Sequence, residues 1–102
     1  MFALVYEVVA AIPRGRVATY GDVSLMLDRR LTPVGIGWAL RACPTDLPWH
    51  RVVNTRGGLS TEATAPGAQR QRLLAEGVPF RADGTVDLER CRFGPLLSAA
   101  RR

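Results

Sequence analysis

Apolar side chains recur at two spacings along the 102-residue chain, and the change of spacing divides it into elements. Residues 2–12, FALVYEVVAAI, carry them around most of a helical circumference, broken by Glu7. That pattern predicts a largely buried helix, ended by a turn at Pro13-Arg14-Gly15-Arg16. Val17-Ala18 reads as short and extended. Thr19 followed by Asp22 has the form of a capping box, with a hydroxyl for an orphan amide and a carboxylate at the positive helix end, and predicts a helix over 20–28. Thr32 and Pro33 repeat the start signal for a helix over 33–42, which Pro44 must stop; Trp38 is expected to face the core. Two short helices with a tight connection predict a helix-turn-helix.

The second half is more polar. Residues 49–54 alternate, Thr55-Arg56-Gly57-Gly58 supplies a turn and Leu59-Ser60 a return, which predicts a small hairpin or wing. Residues 60–68 read as a polar loop. A helix over 69–76 follows, closed by Gly77, with Leu73 and Leu74 inward. Asp83-Gly84 marks another turn before a short strand around 86–88, and the tail after Phe93 has no assigned role. With no repeat, low-complexity segment or linker, the expected fold is one domain over residues 1–102, mainly α with a small β hairpin or wing, a winged helix-turn-helix-like arrangement.

Composition narrows the chemistry. The chain is 47% hydrophobic, with no apolar run near the roughly 20 residues that span a bilayer. Its apolar start lacks a basic leader and reads as a helix, which sets the expectation of a cytoplasmic protein with no membrane partner. Cys43 and Cys91 are expected to be free thiols, and with one histidine they build no recognisable zinc site, so neither metal nor cofactor is expected. Fourteen basic against nine acidic residues give a net charge of +5, which favours a polyanionic partner such as nucleic acid. All the basic residues are arginine. The guanidinium fork suits phosphate and base edges, but a lysine-free chain fits a biased genome composition equally well. Gly35 and Gly37 lower the propensity of their helix by about 1 kcal/mol each. Either a nucleic-acid groove approaching the backbone or tight packing against another helix accounts for them. The tract Pro48-Trp49-His50-Arg51-Val52-Val53 holds the only histidine and one of two tryptophans; by itself it reads as a half-buried strand.

Four tracts carry more information together: IPRGRVATYGDVS, GWALRACP, PWHRVVNTRGGLS and QRQRLLAEGV, in that order. Over nearly residues 1–80 they resemble the DNA-binding domain of the O6-alkylguanine-DNA alkyltransferases. In those enzymes the central tract reads Pro-Cys-His-Arg-Val, and the cysteine takes the alkyl group after a histidine and a glutamate help to form its thiolate. Here Trp49 stands in its place, and an indole, whose nitrogen lone pair belongs to the ring, cannot displace at an alkyl carbon. The tryptophan form resembles the alkyltransferase-like proteins, which bind alkylated guanine in duplex DNA and pass it to nucleotide excision repair.

The resemblance therefore implies a non-enzymatic monomer whose partners are lesion-bearing duplex DNA and excision-repair proteins. It implies a lesion pocket of Tyr20, Pro48, Trp49, His50 and Ser60, closed by loop 57–63, and DNA contacts through Thr19, Tyr20, Pro33, Val34, Gly35, Gly37 and Arg41. Tyr20 would press the 3′ phosphate; without the resemblance it reads as an aromatic packed on helix 33–42. His50 and Glu76 remain as a buried pair from the activating network, and Arg51 takes a structural role. The arginine finger of the family falls at Val34, with Arg29 or Arg30 as substitutes, and Glu62 stands where related proteins often carry arginine. Two other readings stay open: an alkyltransferase using Cys43, and a winged-helix transcription regulator.

Overall fold

The protein is described by a computed structural model that covers residues 2–42, 46–59 and 66–94. Its helix-turn-helix starts where the caps specify. Thr19 Oγ1 accepts the Asp22 N–H and the Asp22 carboxylate accepts the Thr19 N–H, both at 3.0 Å, so α2 (Tyr20–Met26) begins at Tyr20. Thr32 Oγ1 accepts the Gly35 N–H at 3.2 Å and caps α3 (Pro33–Arg41). Helix α2 stops short of residue 28 because Asp28 and Arg29 adopt φ of 55° and 61°, a left-handed geometry that ends the helix. The Ser24 hydroxyl then donates to Leu31 O at 2.6 Å and closes the turn. Helix α1 (Phe2–Ala10) packs across both, and its Tyr6 hydroxyl donates to Ala39 O at 3.0 Å.

Two short strands organise the rest. β1 (Ala18–Thr19) pairs in parallel with β2 (Val52–Val53), Ala18 opposite Val52 and Thr19 opposite Val53. Successive strand side chains point to opposite faces. Ala18 and Val52 accordingly join Val5, Val9, Ile12, Ile36 and Ala39 in one core, while Val17 and Val53 join Leu73, Val78, Val86 and Cys91 in a second. Each valine of the pair at 52–53 plugs a different core. Val17 also binds the C-terminal segment, donating to Cys91 O at 3.0 Å and accepting from the Phe93 N–H at 2.7 Å.

Helix α4 (Ala68–Ala75) ends as Gly77 predicts: with φ of 79° it lets the Gly77 N–H reach Leu74 O and the Val78 N–H reach Leu73 O, a Schellman closure. Glu76 is therefore fixed as the last residue before the turn. A four-residue helix, α5 (Leu88–Cys91), completes the described fold.

The fold class is the expected one, mostly helical with a small sheet, but several details differ. The hairpin expected over 49–60 does not form in its described part. Trp49–Arg51 is a single 3-10 turn, Val52-Val53 finds its partner in β1, and residues 54–58 close on themselves through Asn54 N–H to Gly58 O at 2.9 Å. The antiparallel contact lies further on, Phe80 against Val86 across the Asp83-Gly84 turn, and residue 88 opens α5 in place of a strand. Trp38 does not face the core; it is 60% exposed, because Ile36 and Ala39 already occupy the buried face of α3. Leu74 is likewise exposed, and Leu73 alone of that pair is buried.

Candidate nucleic-acid interface

A cleft of about 830 Å³ opens between the start of α2, one face of α3, the turn after β2 and the start of α4. Tyr20, Pro33, Val34, Gly37, Arg41 and Trp49 all line it. The capping box sets the first of these: Tyr20 follows the cap directly, so the hydrogen bonds that start α2 also hold the ring at the cleft, half-buried against the larger core. Trp49 is set by the 3-10 turn, which Trp49 N–H anchors to Leu47 O at 2.8 Å. On the far side the Arg72 guanidinium lies over the Trp49 ring, 5.5 Å from its centroid.

The two glycines of α3 have different reasons. A Cβ at Gly37 would meet nothing within 4 Å, so this backbone is open to the cleft. A Cβ on Gly35 would lie 3.1 Å from Leu31 Cδ2, and its N–H is held by the cap; packing explains it. Thr19 is 2% exposed and lines a smaller adjoining groove with Asp22, Arg29 and Pro33. Pro48 and His50 do not line the cleft, and Ser60, Glu62 and Cys43 lie outside the described residues.

Beneath Trp49 lies a polar network. His50 Nε2 meets Glu76 Oε2 at 2.7 Å. Arg51 donates to Glu76 Oε1 from Nε at 2.9 Å and to Oε2 from Nη2 at 2.8 Å, and its Nη1 donates to Ile12 O at 2.9 Å. The Gly15 N–H adds a fifth polar link, to Oε1 at 3.2 Å. A carboxylate at a helix C-terminus opposes the helix dipole, and these donors offset that. Burial alone would raise the pKa of Glu76, but the hydrogen bonds from Arg51, His50 and Gly15 outweigh it and hold it at about 2. His50 moves down, because burial disfavours its charged form more than Glu76 favours it. The pair is thus a neutral imidazole donating from Nε2 to a carboxylate already neutralised by Arg51. Its Nδ1 is buried and has no partner among the described residues. Gln69, 1% exposed, ties α4 to the turn by donating to His50 O and Val52 O at 3.1 and 2.9 Å.

The cleft also contains residues that the sequence pattern did not single out: Asn54, Thr55, Arg56, Gln69 and Thr85. Asn54 was legible as the end of the alternating tract and Thr55 and Arg56 as a turn, but nothing local indicates that they line a cleft with α3. Arg72 was legible only as a polar helical position. Its approach to Trp49 depends on where Gln69 docks α4.

Residues 1–78 match the family described as 6-O-methylguanine DNA methyltransferase, DNA binding domain. The chain belongs to this family. Among curated members, the DNA base-flipping protein of Escherichia coli is 46% identical over 93 residues, spanning 87% of this chain and 70% of that protein. Alkyltransferase-like protein 1 of Schizosaccharomyces pombe is 38% identical over 81 residues, spanning 76% and 75%. The crystal structure of the S. pombe alkyltransferase-like protein with damaged DNA containing O6-carboxymethylguanine superposes with a TM-score of 0.78 at 30% identity, covering 92% of this chain and 94% of that one. The structural likeness thus extends past residue 78.

Proposed function

We propose that this chain recognises O6-alkylated guanine in duplex DNA by turning the nucleotide out into the cleft, leaves the alkyl group in place, and marks the site for nucleotide excision repair. The observation that carries the reading is Trp49 at the cleft wall, directly above an intact His50–Glu76–Arg51 network. The resemblance puts the acceptor cysteine of the enzymes at that position. The thiol of Cys91 is elsewhere, 2% exposed, pushed up by burial and directed to Asp87 O at 3.3 Å.

Physical scale supports the assignment. Turning a nucleotide out costs a few kcal/mol, less for a weakly paired damaged base. Stacking on Trp49 returns about 1–3 kcal/mol. Arg41 and Arg56 on the cleft walls supply charge for the backbone, and Gly37 lets it approach. Tyr20, at the helix start, would bear on the phosphate beside the rotated nucleotide.

Equilibrium binding to two duplexes that differ only in one O6-methylguanine tests the proposal, with the recovered DNA analysed for the methyl group. Tighter binding to the lesion with the methyl retained is expected. Trp49→Ala should lose more affinity for the lesion duplex than for the intact one, and Tyr20→Ala should impair lesion capture. Equal affinity for both duplexes removes the lesion role, and a vanished methyl would direct attention to Cys43.

A further inference from the structure

Helix α3 turns a second apolar feature outward. Among the described residues four large hydrophobic side chains are exposed, and two of them, Val34 at 71% and Trp38 at 60%, sit one turn apart on this helix. Successive residues advance about 100° around a helix, which places Trp38 about 40° beyond Val34 on the side away from the buried Ile36 and Ala39. Val34, Gly37 and Arg41 line the cleft, so the tryptophan stands at its edge, on the same outward surface.

The chemistry around the indole is selective. The Arg41 guanidinium lies 5.0 Å from the centre of the Trp38 ring. The sequence of α3, PVGIGWALR, contains no acidic residue, and Arg29 and Arg30 lie exposed in the turn before it. A protein partner for such a face needs acidic groups around an apolar socket. A duplex supplies both in one object: phosphates at the rim and apolar base faces between. Minor-groove proteins insert apolar side chains between base steps and kink the duplex, and the plate-like indole with a cation on it suits that use.

We propose that Trp38, with Val34 one turn before it, is the wedge by which this chain enters the base stack beside the turned-out nucleotide, with Arg41 holding a flanking phosphate. The assignment rests on the flipping mechanism proposed above. It replaces a hydrogen-bonding finger by an apolar plate, so the orphaned base opposite the lesion is stacked on and its hydrogen-bonding edge is left unread. Discrimination by that opposite base should therefore be weak.

The test uses the full chain and the same two duplexes, with Trp38→Ala and Trp38→Phe. Loss of a base stacked on an aromatic side chain corresponds to roughly a 5- to 150-fold fall in affinity. Trp38→Ala is expected to fall by that factor on the lesion duplex with an unchanged melting temperature, and Trp38→Phe to retain most of the affinity. In a second arm, 5-iodouracil beside the lesion is photolysed and the crosslinked peptide identified; it should contain Trp38. Undiminished DNA binding by Trp38→Ala with no crosslink at position 38 overturns the proposal and leaves the face for a protein partner. Equal wild-type affinity for lesion and intact duplex, with Trp38→Ala weaker on both, overturns lesion recognition instead and keeps Trp38 as a DNA contact.

Discussion

Replacing Glu76 by glutamine asks whether the network under Trp49 sustains the fold in place of chemistry. The substitution keeps the shape of the side chain and removes its charge, which leaves the Arg51 guanidinium against a neutral amide. Both groups are largely enclosed, with side-chain exposures of 16% for Arg51 and 6% for Glu76. Breaking a buried pair from one side costs about 3–5 kcal/mol, because the remaining charge stays desolvated. The acidity of Glu76 gives a second route to the magnitude. A pKa lowered from 4.5 to about 2 corresponds to about 3 kcal/mol, at about 1.4 kcal/mol for each pKa unit. The two routes meet at about 3 kcal/mol, a large share of the roughly 5–15 kcal/mol that stabilises a domain. The midpoint of thermal unfolding should fall by on the order of 12–24 °C. Circular dichroism melts and urea titrations of Glu76→Gln, Arg51→Leu and the double variant measure the loss and the coupling. A loss below about 1 kcal/mol, the size typical of an exposed pair, would refute the reasoning.

The pH profile follows from the same groups. His50 and Glu76 are both lowered in the folded state, so both contribute stability that is present at neutral pH and lost on acidification. Stability measured in urea should begin to fall as pH drops through 6.5 and fall further from 4.5 towards 2; a gain on acidification contradicts the neutral-imidazole assignment. Gly57→Ala should cost about 1–3 kcal/mol from backbone strain alone, since Gly57 has φ of 85° and an added Cβ would lie 2.5 Å from Val86 O. A melting temperature equal to the wild type would mean that the turn after β2 does not pack on residue 86 as described.

What was legible in the sequence was what local chemistry fixes. The caps at Thr19 and Thr32 follow from side chains that satisfy backbone groups three residues away, the Gly77 stop from a residue free to take positive φ, and the helix-turn-helix from these signals together; each is found. The pairing of Glu76 with His50 came from the family resemblance, since 26 positions separate the two and no periodicity links them. The strand partner of Val52-Val53 was missed because pairing over more than thirty residues leaves no local mark, whereas the nearby Gly57-Gly58 looks like a hairpin turn. Trp38 was misread for a different reason. Large aromatic residues belong to cores by default, and only the small Ala39 and Ile36 on the opposite side reveal that the core of α3 is already full.

The tract at 49–52 divides its labour between the position that faces the cleft and the positions that hold the fold. His50, Arg51 and Val52 are each held by distant elements: Glu76 and Gln69 on α4 and its end, Ile12 after α1, and β1. Trp49 is held differently. Among the described residues its ring contacts Arg72 and the edge of His50, and its backbone is fixed by the 3-10 turn regardless of the side chain. Exchanging the side chain at 49 therefore changes what lines the cleft without unpairing a buried group. Changes at 50, 51 or 76 would strand a charge or a donor in the interior, at a cost of about 1–5 kcal/mol. The network beneath the cleft is thus sufficiently explained by stability.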